Sequence, residues 1–464
     1  NATKLKLINV EVTGSVSDSN GGSDLELTNT KITGALTVGD GSRLNFVNGS
    51  AASVTATTGT SAANRDITLS NVKVENGIEV GTYSNVDCTN VTAASLTIAD
   101  APKGSAVETN PSANIRNCTI GTVTTGARMH KVELNGLTAD TAAIGNSTSF
   151  VEVRSLSGAS NIGTLTIGEN CGTTTIEGNL NGRNTTIGTL NVGAGTKPTL
   201  GETNSDAAKD QRLVVNAINC TQAGPVTINS GTYETLNGDN KKNTFVLYGG
   251  NYPKSYSQYC ACDPNSNTGY RDHYVCNYQS AEKRYRVELL KVQLVSVTPD
   301  AVIKGAKTPI AIVVNVPYEH PCTGNLSVAG VDYYDSRLYN TTPLMNKDYI
   351  IEPYEYTNPD GTTSSYTKIT ISGDYVATKN YQTYAVRTEM GKVSATATAK
   401  TNLPQTNRRS GLIRTGDDSN IGLLVGIMAL ALAVAAAVVV ILKNKKSQTD
   451  ANGVTRRKKP NDKE

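Results

Sequence analysis

The chain has 464 residues, and its 43 Lys and Arg against 40 Asp and Glu give a formal charge of +3. Residues 443–464 hold eight of the basic and three of the acidic residues, and Asp417 and Asp418 add two negative charges, so everything before residue 416 is formally neutral. A neutral region without a basic block argues against nucleic acid as partner, eight Cys at this length do not make a disulfide scaffold, and a chain this long divides into two or three domains.

Residues 1–245 repeat themselves loosely. One motif is apolar-any-Asn with a further apolar residue three places on, at Leu7-Ile8-Asn9, Leu27-Thr28-Asn29, Leu69-Ser70-Asn71 and Ile115-Arg116-Asn117. A second is a short alternating strand ended by a small residue: Leu36-Thr37-Val38-Gly39, Leu96-Thr97-Ile98-Ala99, Leu165-Thr166-Ile167-Gly168 and Leu190-Asn191-Val192-Gly193. The Asn spacing fits coils of about 20 to 23 residues, and strands this short bury a continuous core only by stacking like on like. The spacing predicts a parallel β-helix of about 11 coils, near 50 Å long at about 4.8 Å per coil. Leu36, Leu96, Leu165 and Leu190 then point inward. Asn9, Asn29, Asn71 and Asn117 become corner or ladder residues, because Asn tolerates the left-handed corner and its amide can bond the Asn one coil away. Cys88, Cys118, Cys171 and Cys220 read as small buried hydrophobes. The pattern resembles the right-handed β-helices of bacterial surface proteins and polysaccharide-active enzymes.

That resemblance makes an enzyme worth weighing. Glycoside hydrolysis needs two carboxylates about 5 to 9 Å apart, and this acid-poor region shows no obvious pair in sequence. Arg65-Asp66 reads as a solvated turn. Trp is absent and Phe occurs three times, which weakens a sugar-stacking cleft. No catalytic residue is assigned.

Residues 246–287 read as the Tyr- and Cys-rich end of the helix. Of 21 Tyr, only Tyr83 precedes Tyr233. Cys260, Cys262, His273 and Cys276 could supply four zinc ligands or close a terminal-loop disulfide; no tightly held metal and no cofactor are expected.

Residues 288–400 read as one small β-sandwich, with strand-like runs at 292–297, 310–316, 326–331, 367–371, 382–386 and 393–399. Asn346-Lys347-Asp348-Tyr349, followed later by Ile369-Thr370-Ile371-Ser372 and Tyr375, is similar to bacterial Ig-like modules. The expected fold class is therefore all-β: a right-handed parallel β-helix, an Ig-like β-sandwich, then one C-terminal transmembrane helix.

The linker and sorting segment occupy residues 401–420, and residues 421–442 are an uncharged apolar run, long enough as a helix to cross about 30 Å of hydrocarbon. Lys443, Lys445 and Lys446 open a basic tail, 443–464, which places the C-terminus inside and the preceding chain outside. The first residue is Asn1, so an export signal is expected to have been removed. Thr415-Gly416-Asp417-Asp418-Ser419-Asn420 before the apolar run looks like the sorting signal of Gram-positive surface proteins. In that family a Leu-Pro-any-Thr-Gly motif is cut by a sortase after Thr and joined to peptidoglycan. Leu412, Thr415 and Gly416 match, with Arg414 at the free position, but Ile413 replaces the Pro whose fixed φ makes the recognised kink. Leu403-Pro404-Gln405-Thr406-Asn407 keeps the Pro but ends in Asn. The resemblance implies a cell-surface protein fixed to wall or membrane, adhesin-like or structural, with a glycan or protein ligand. The alternative is a wall-anchored polysaccharide lyase or glycoside hydrolase.

Overall fold

The computed structural model describes residues 3–19, 21–59, 64–102, 110–178, 184–220, 224–238, 244–263, 272–299, 301–303, 309–318, 328–334, 341–343, 347–357, 361, 363–372, 381–388, 391–400 and 414–415. Both the apolar run and the basic tail lie outside these, and among the described residues no helix is long and apolar enough to cross a membrane. The chain divides into two compact units that meet in sequence between Lys291 and Val292.

The first unit is a mostly parallel β-solenoid of about 11 turns, as the repeats require. Each coil contributes strands to three faces. The first face begins with Lys4–Ile8 on Asp24–Thr28 and runs in register to Val226–Ile228 on Phe245–Leu247. The third face stacks Leu36, Val54, Ile78, Leu96, Val123, Ala142, Leu165, Leu190, Ile218 and Leu236 as one inward column. Every member of that column is buried. The four Leu expected to point inward therefore share one position of the repeat. Cys88, Cys118, Cys171 and Cys220 are buried in the same core, and burial pushes the Cys118 thiol up to about 11, which keeps it a neutral apolar filler.

The Asn motif makes the corner from first to second face. Asn9, Asn29, Asn71 and Asn117 have φ of 55°, 50°, 55° and 51°, a conformation that Asn tolerates better than most residues. Their amides also bond from coil to coil: Asn29 Nδ2 donates to Asn9 Oδ1 at 2.8 Å, Asn71 Nδ2 to Asn48 Oδ1 at 3.0 Å, and Asn90 Nδ2 to Asn71 Oδ1 at 2.9 Å. Each bond joins neighbouring coils in one register, so the ladder opposes slippage.

Arg65 departs from the solvated-turn expectation. It opens the strand Arg65–Val74 and is 2% exposed. Its guanidinium donates to Gly39 O at 2.6 Å, Ser42 O at 3.2 Å, Ser84 Oγ at 2.9 Å and Thr57 O. Four oxygens from three neighbouring coils replace its water, a task that the planar fork of Arg suits better than the point charge of Lys.

The parallel stack ends where Asn251–Tyr252 pairs antiparallel with Arg284–Leu289, itself one arm of a hairpin with Asp272–Gln279. Tyr233 and Tyr252 stack with ring centres 5.6 Å apart. Each hydroxyl donates to a carbonyl three residues back, Ser230 O and Gly249 O. Two arginines of the hairpin clip onto the coils: Arg284 on Glu234 and the Tyr233 carbonyl, and Arg286 on the buried Asp210.

In the second unit, Leu294–Thr298, Ile310–Val314, Thr363–Ile371 and Tyr349–Thr357 form an antiparallel sheet in that order. Ile310, Ile312, Val314, Ile369 and Ile371 are buried in it. A second sheet runs Ala301–Ile303, Gly391–Lys400, Tyr381–Thr388, Val328–Tyr334 and Thr341–Pro343. Strands are found at all six expected runs, some longer at one or both ends, while Leu294–Thr298 begins two residues late and Ile310–Val314 ends two residues early. Tyr349–Thr357 was not anticipated, because Pro353 interrupts its alternation; as an edge strand it loses little by lacking one donor.

Candidate binding strip and ion ladder

The outward side of the third face is a strip of Thr, Ser and Asn. One row reads Thr97, Thr124, Ala143, Thr166, Asn191, Asn219 and Asn237 in register, and its neighbour reads Ser95, Thr122, Thr141, Thr164, Thr189, Ala217 and Thr235. β-branched Thr suits the pleat, and hydroxyl or amide groups repeat at the coil spacing of about 4.8 Å. Some bond along the row: Asn219 Nδ2 to Asn191 Oδ1 at 2.8 Å, Asn237 Nδ2 to Asn219 Oδ1 at 2.9 Å, and Thr141 Oγ1 to Thr122 Oγ1 at 3.3 Å. Those bonds fix the rotamers and leave the remaining lone pairs and donors facing solvent.

Beside the strip, the chain bends from second to third face and leaves a groove of about 470 Å³. Its wall is Thr119, Thr138, Asn161 and Thr186, one per coil, and its floor is Gly121, Asp140, Gly163 and Gly188. A Cβ on Gly163 would meet the Asp140 carbonyl at 2.5 Å and one on Gly121 the Ala94 carbonyl at 2.8 Å, so at these two coils the close approach to the coil before depends on glycine. Among the described residues, Asp140 is the one charged residue lining the groove. Seven successive strands, from Thr92–Ile98 to Thr232–Gly238, run through this bend without a break. Longer connections fall at the other two corners, as at residues 99–111, 177–184 and 201–212.

The outward side of the first face carries charge. Arg116 lies 3.6 Å from Glu133, Lys131 3.2 Å from Glu133 and 2.9 Å from Glu152, and Arg154 3.8 Å from Glu152 and 3.9 Å from Glu177. Burial works against the charge on Glu133, yet Lys131 and Arg116 outweigh it and hold that carboxyl below the usual range. Burial wins at Glu177, whose carboxyl is raised despite Arg154. Sequence reasoning missed this cluster, since residues 17 to 23 apart meet only once the register is known.

The four Cys and His candidates meet in part. Cys262 sits opposite His273 in the pairing of Cys262–Asp263 with Asp272–Gln279, and Cys276 lies three residues further along the same strand. Burial raises the thiols of Cys260 and Cys276, and each is near enough to Tyr252 to be felt there. The Cys262 side chain lies outside the described residues, among which no group of three or more His, Cys, Asp or Glu could hold a metal. Of the sorting candidates, Leu403, Pro404, Gln405, Thr406, Asn407, Leu412, Ile413 and Gly416 lie outside the described residues. Arg414 and Thr415 pair with Ser394 and Val393 as a short strand.

The class that these observations define is an all-β protein built on a parallel β-solenoid. Comparisons with protein-family models, curated proteins and solved structures found no match.

Proposed function

We propose that the chain is an adhesin-like or structural display protein of a Gram-positive cell surface. Its C-terminus would be held to peptidoglycan by a sortase, or to the membrane by residues 421–442. The observation that carries the reading is the Thr/Asn strip, which stays in step over successive coils beside a bend that no insertion interrupts. Its hydroxyls and amides are donors and acceptors with little charge, which suits an extended neutral glycan or a protein surface of like polarity. Thr141 and Thr164 point outward from this strip, so Thr141→Arg and Thr164→Arg should leave the core intact. Binding of the purified protein to immobilised bacterial and host glycans and to host-cell surfaces should fall about tenfold in each variant, about 1.4 kcal/mol. Binding unchanged in both, at unchanged thermal stability, would remove the strip from the reading. For anchoring, Thr415→Ala should leave the protein extractable by detergent alone, and a wall-released C-terminal peptide ending at Thr406 would move the cut to the earlier motif.

One observation favours a second reading, a wall-anchored polysaccharide lyase or glycoside hydrolase. Glu133, Glu152 and Glu177 share one face with Lys131 and Arg154 between them, and burial raises Glu177. A carboxyl held protonated at higher pH is what a general acid needs. Release of new sugar ends from a polysaccharide panel, lost on Glu177→Gln, would put this reading first.

A further inference from the structure

We propose that the protein masks its own sorting segment: residues 414–415 are held as an added strand on a sheet edge, and cutting after Thr415 requires their release. This rests on the sorting reading above. The strand Gly391–Lys400 pairs along its length with Tyr381–Thr388 on one side. On the other side Ala301–Ile303 covers only residues 398–400. Residues 391–397 thus have an edge that Ala301–Ile303 does not reach, and an edge of unpaired N–H and C=O groups is a template for strand addition. The chain folds back onto it, with Thr415 opposite Val393 and Arg414 opposite Ser394, antiparallel.

Cutting is an acyl transfer. The enzyme's nucleophile bonds to the Thr415 carbonyl carbon, the bond to the Gly416 nitrogen breaks, and that amine leaves with a proton. A wall amine then displaces the nucleophile from the carbonyl carbon. The enzyme must hold this stretch extended in its own groove, and backbone groups already bonded to residues 393–394 are not free to bind there. Masking also ties cutting to folding. The segment is open while the sheet is unfolded during export and is covered once the sheet closes.

The test compares the full-length protein in detergent micelles with a synthetic peptide of residues 409–420. A sortase that cuts Leu-Pro-any-Thr-Gly substrates is used, with triglycine as acceptor. The peptide should be cut with a kcat/KM about tenfold above that of the full chain, an effect of about 1.4 kcal/mol. Ser394→Pro, which removes a strand donor, should bring the full chain close to the peptide. Hydrogen exchange keeps the outcome readable: amides of residues 414–415 should be slowed in the full chain and released in Ser394→Pro, while residues 363–371 stay protected in both. A peptide that is not cut sinks the sorting reading and the mask with it. A peptide cut no faster than the full chain, or residues 414–415 exchanging as freely as in the peptide, sinks the mask alone.

Discussion

Arg65→Met keeps most of the side-chain volume and removes every donor from a buried site. Arg65 donates to three backbone carbonyls and one hydroxyl, and burial outweighs the nearby Asp40 in its electrostatics. A hydrogen bond to a charged group contributes about 1.5–3 kcal/mol net, and each buried acceptor left unpaired costs about 1–3 kcal/mol. These figures overlap, and the native cation itself bears a desolvation cost. The expected loss is therefore about 3–5 kcal/mol, from three buried carbonyls left unpaired less the desolvation cost recovered with the cation. In a solenoid each coil touches only its neighbours, so the loss should be local. Hydrogen exchange followed by mass spectrometry should show faster opening of Arg43–Ala51, Ser53–Ala56 and Gly77–Val80. Thr185–Val192 and Leu213–Cys220 should keep their protection. Arg65→Lys retains the charge but not the fork, and should recover less than half of the loss. Unchanged protection near residue 65 in Arg65→Met would refute the reasoning, since it would mean that water already serves those carbonyls.

Leu165→Asp places a charge between Ala142 and Leu190 in the inward column and should unfold the neighbouring coils at neutral pH; an unchanged melting temperature would break the register. Asn71→Ala puts a Cβ-bearing residue without a side-chain acceptor at φ 55° and removes two ladder bonds, for a loss of about 1–3 kcal/mol in denaturant titration, with Asn71→Gly losing less because glycine accepts that φ. The two ladder carboxyls should behave oppositely with pH. Glu177 is raised above 4.5, so its contribution is full below that value and is lost as pH rises through the folded pKa; Glu133 is lowered below 4.5, so its contribution is present above that value and is lost as pH falls through the folded pKa. Glu177→Gln should therefore raise the unfolding midpoint at pH 7, whereas Glu133→Gln should lower it. Elemental analysis should find no stoichiometric zinc, and a zinc equivalent lost on Cys262→Ser would overturn that.

The inward residues were legible because a half-buried strand alternates whatever its neighbours are, so Leu36, Leu96, Leu165 and Leu190 could be assigned without knowing which coil lay above which. Asn9, Asn29, Asn71 and Asn117 were legible because few residues accept their corner. The surface was not. Connections such as 57–64, 99–111 and 201–212 lengthen single coils, and each shift hides which outward side chains coincide. Lys131 with Glu152, or Thr141 with Thr164, belong together only through the register. Arg65 was misread because Arg is rarely buried and its partners at 39, 42, 57 and 84 come from other coils. The sorting reading rests on sequence pattern alone, whereas the pairing of Thr415 with Val393 lies on a part of Gly391–Lys400 that Ala301–Ile303 does not reach, which no pattern displays.

The unbroken bend gives the rod a translational degeneracy. For the extended ligand proposed above, rows that look nearly alike at every step of about 4.8 Å would not specify one seat; they would offer several overlapping seats, each displaced by one coil. The apparent association constant then grows with the number of seats, while the free energy grows only with its logarithm, so halving the seats costs about 0.4 kcal/mol at an RT of about 0.6 kcal/mol. On that proposal a bound chain would step from seat to seat without leaving the surface. Losing or gaining a coil in this stretch would change the length of the track and leave its chemistry unchanged.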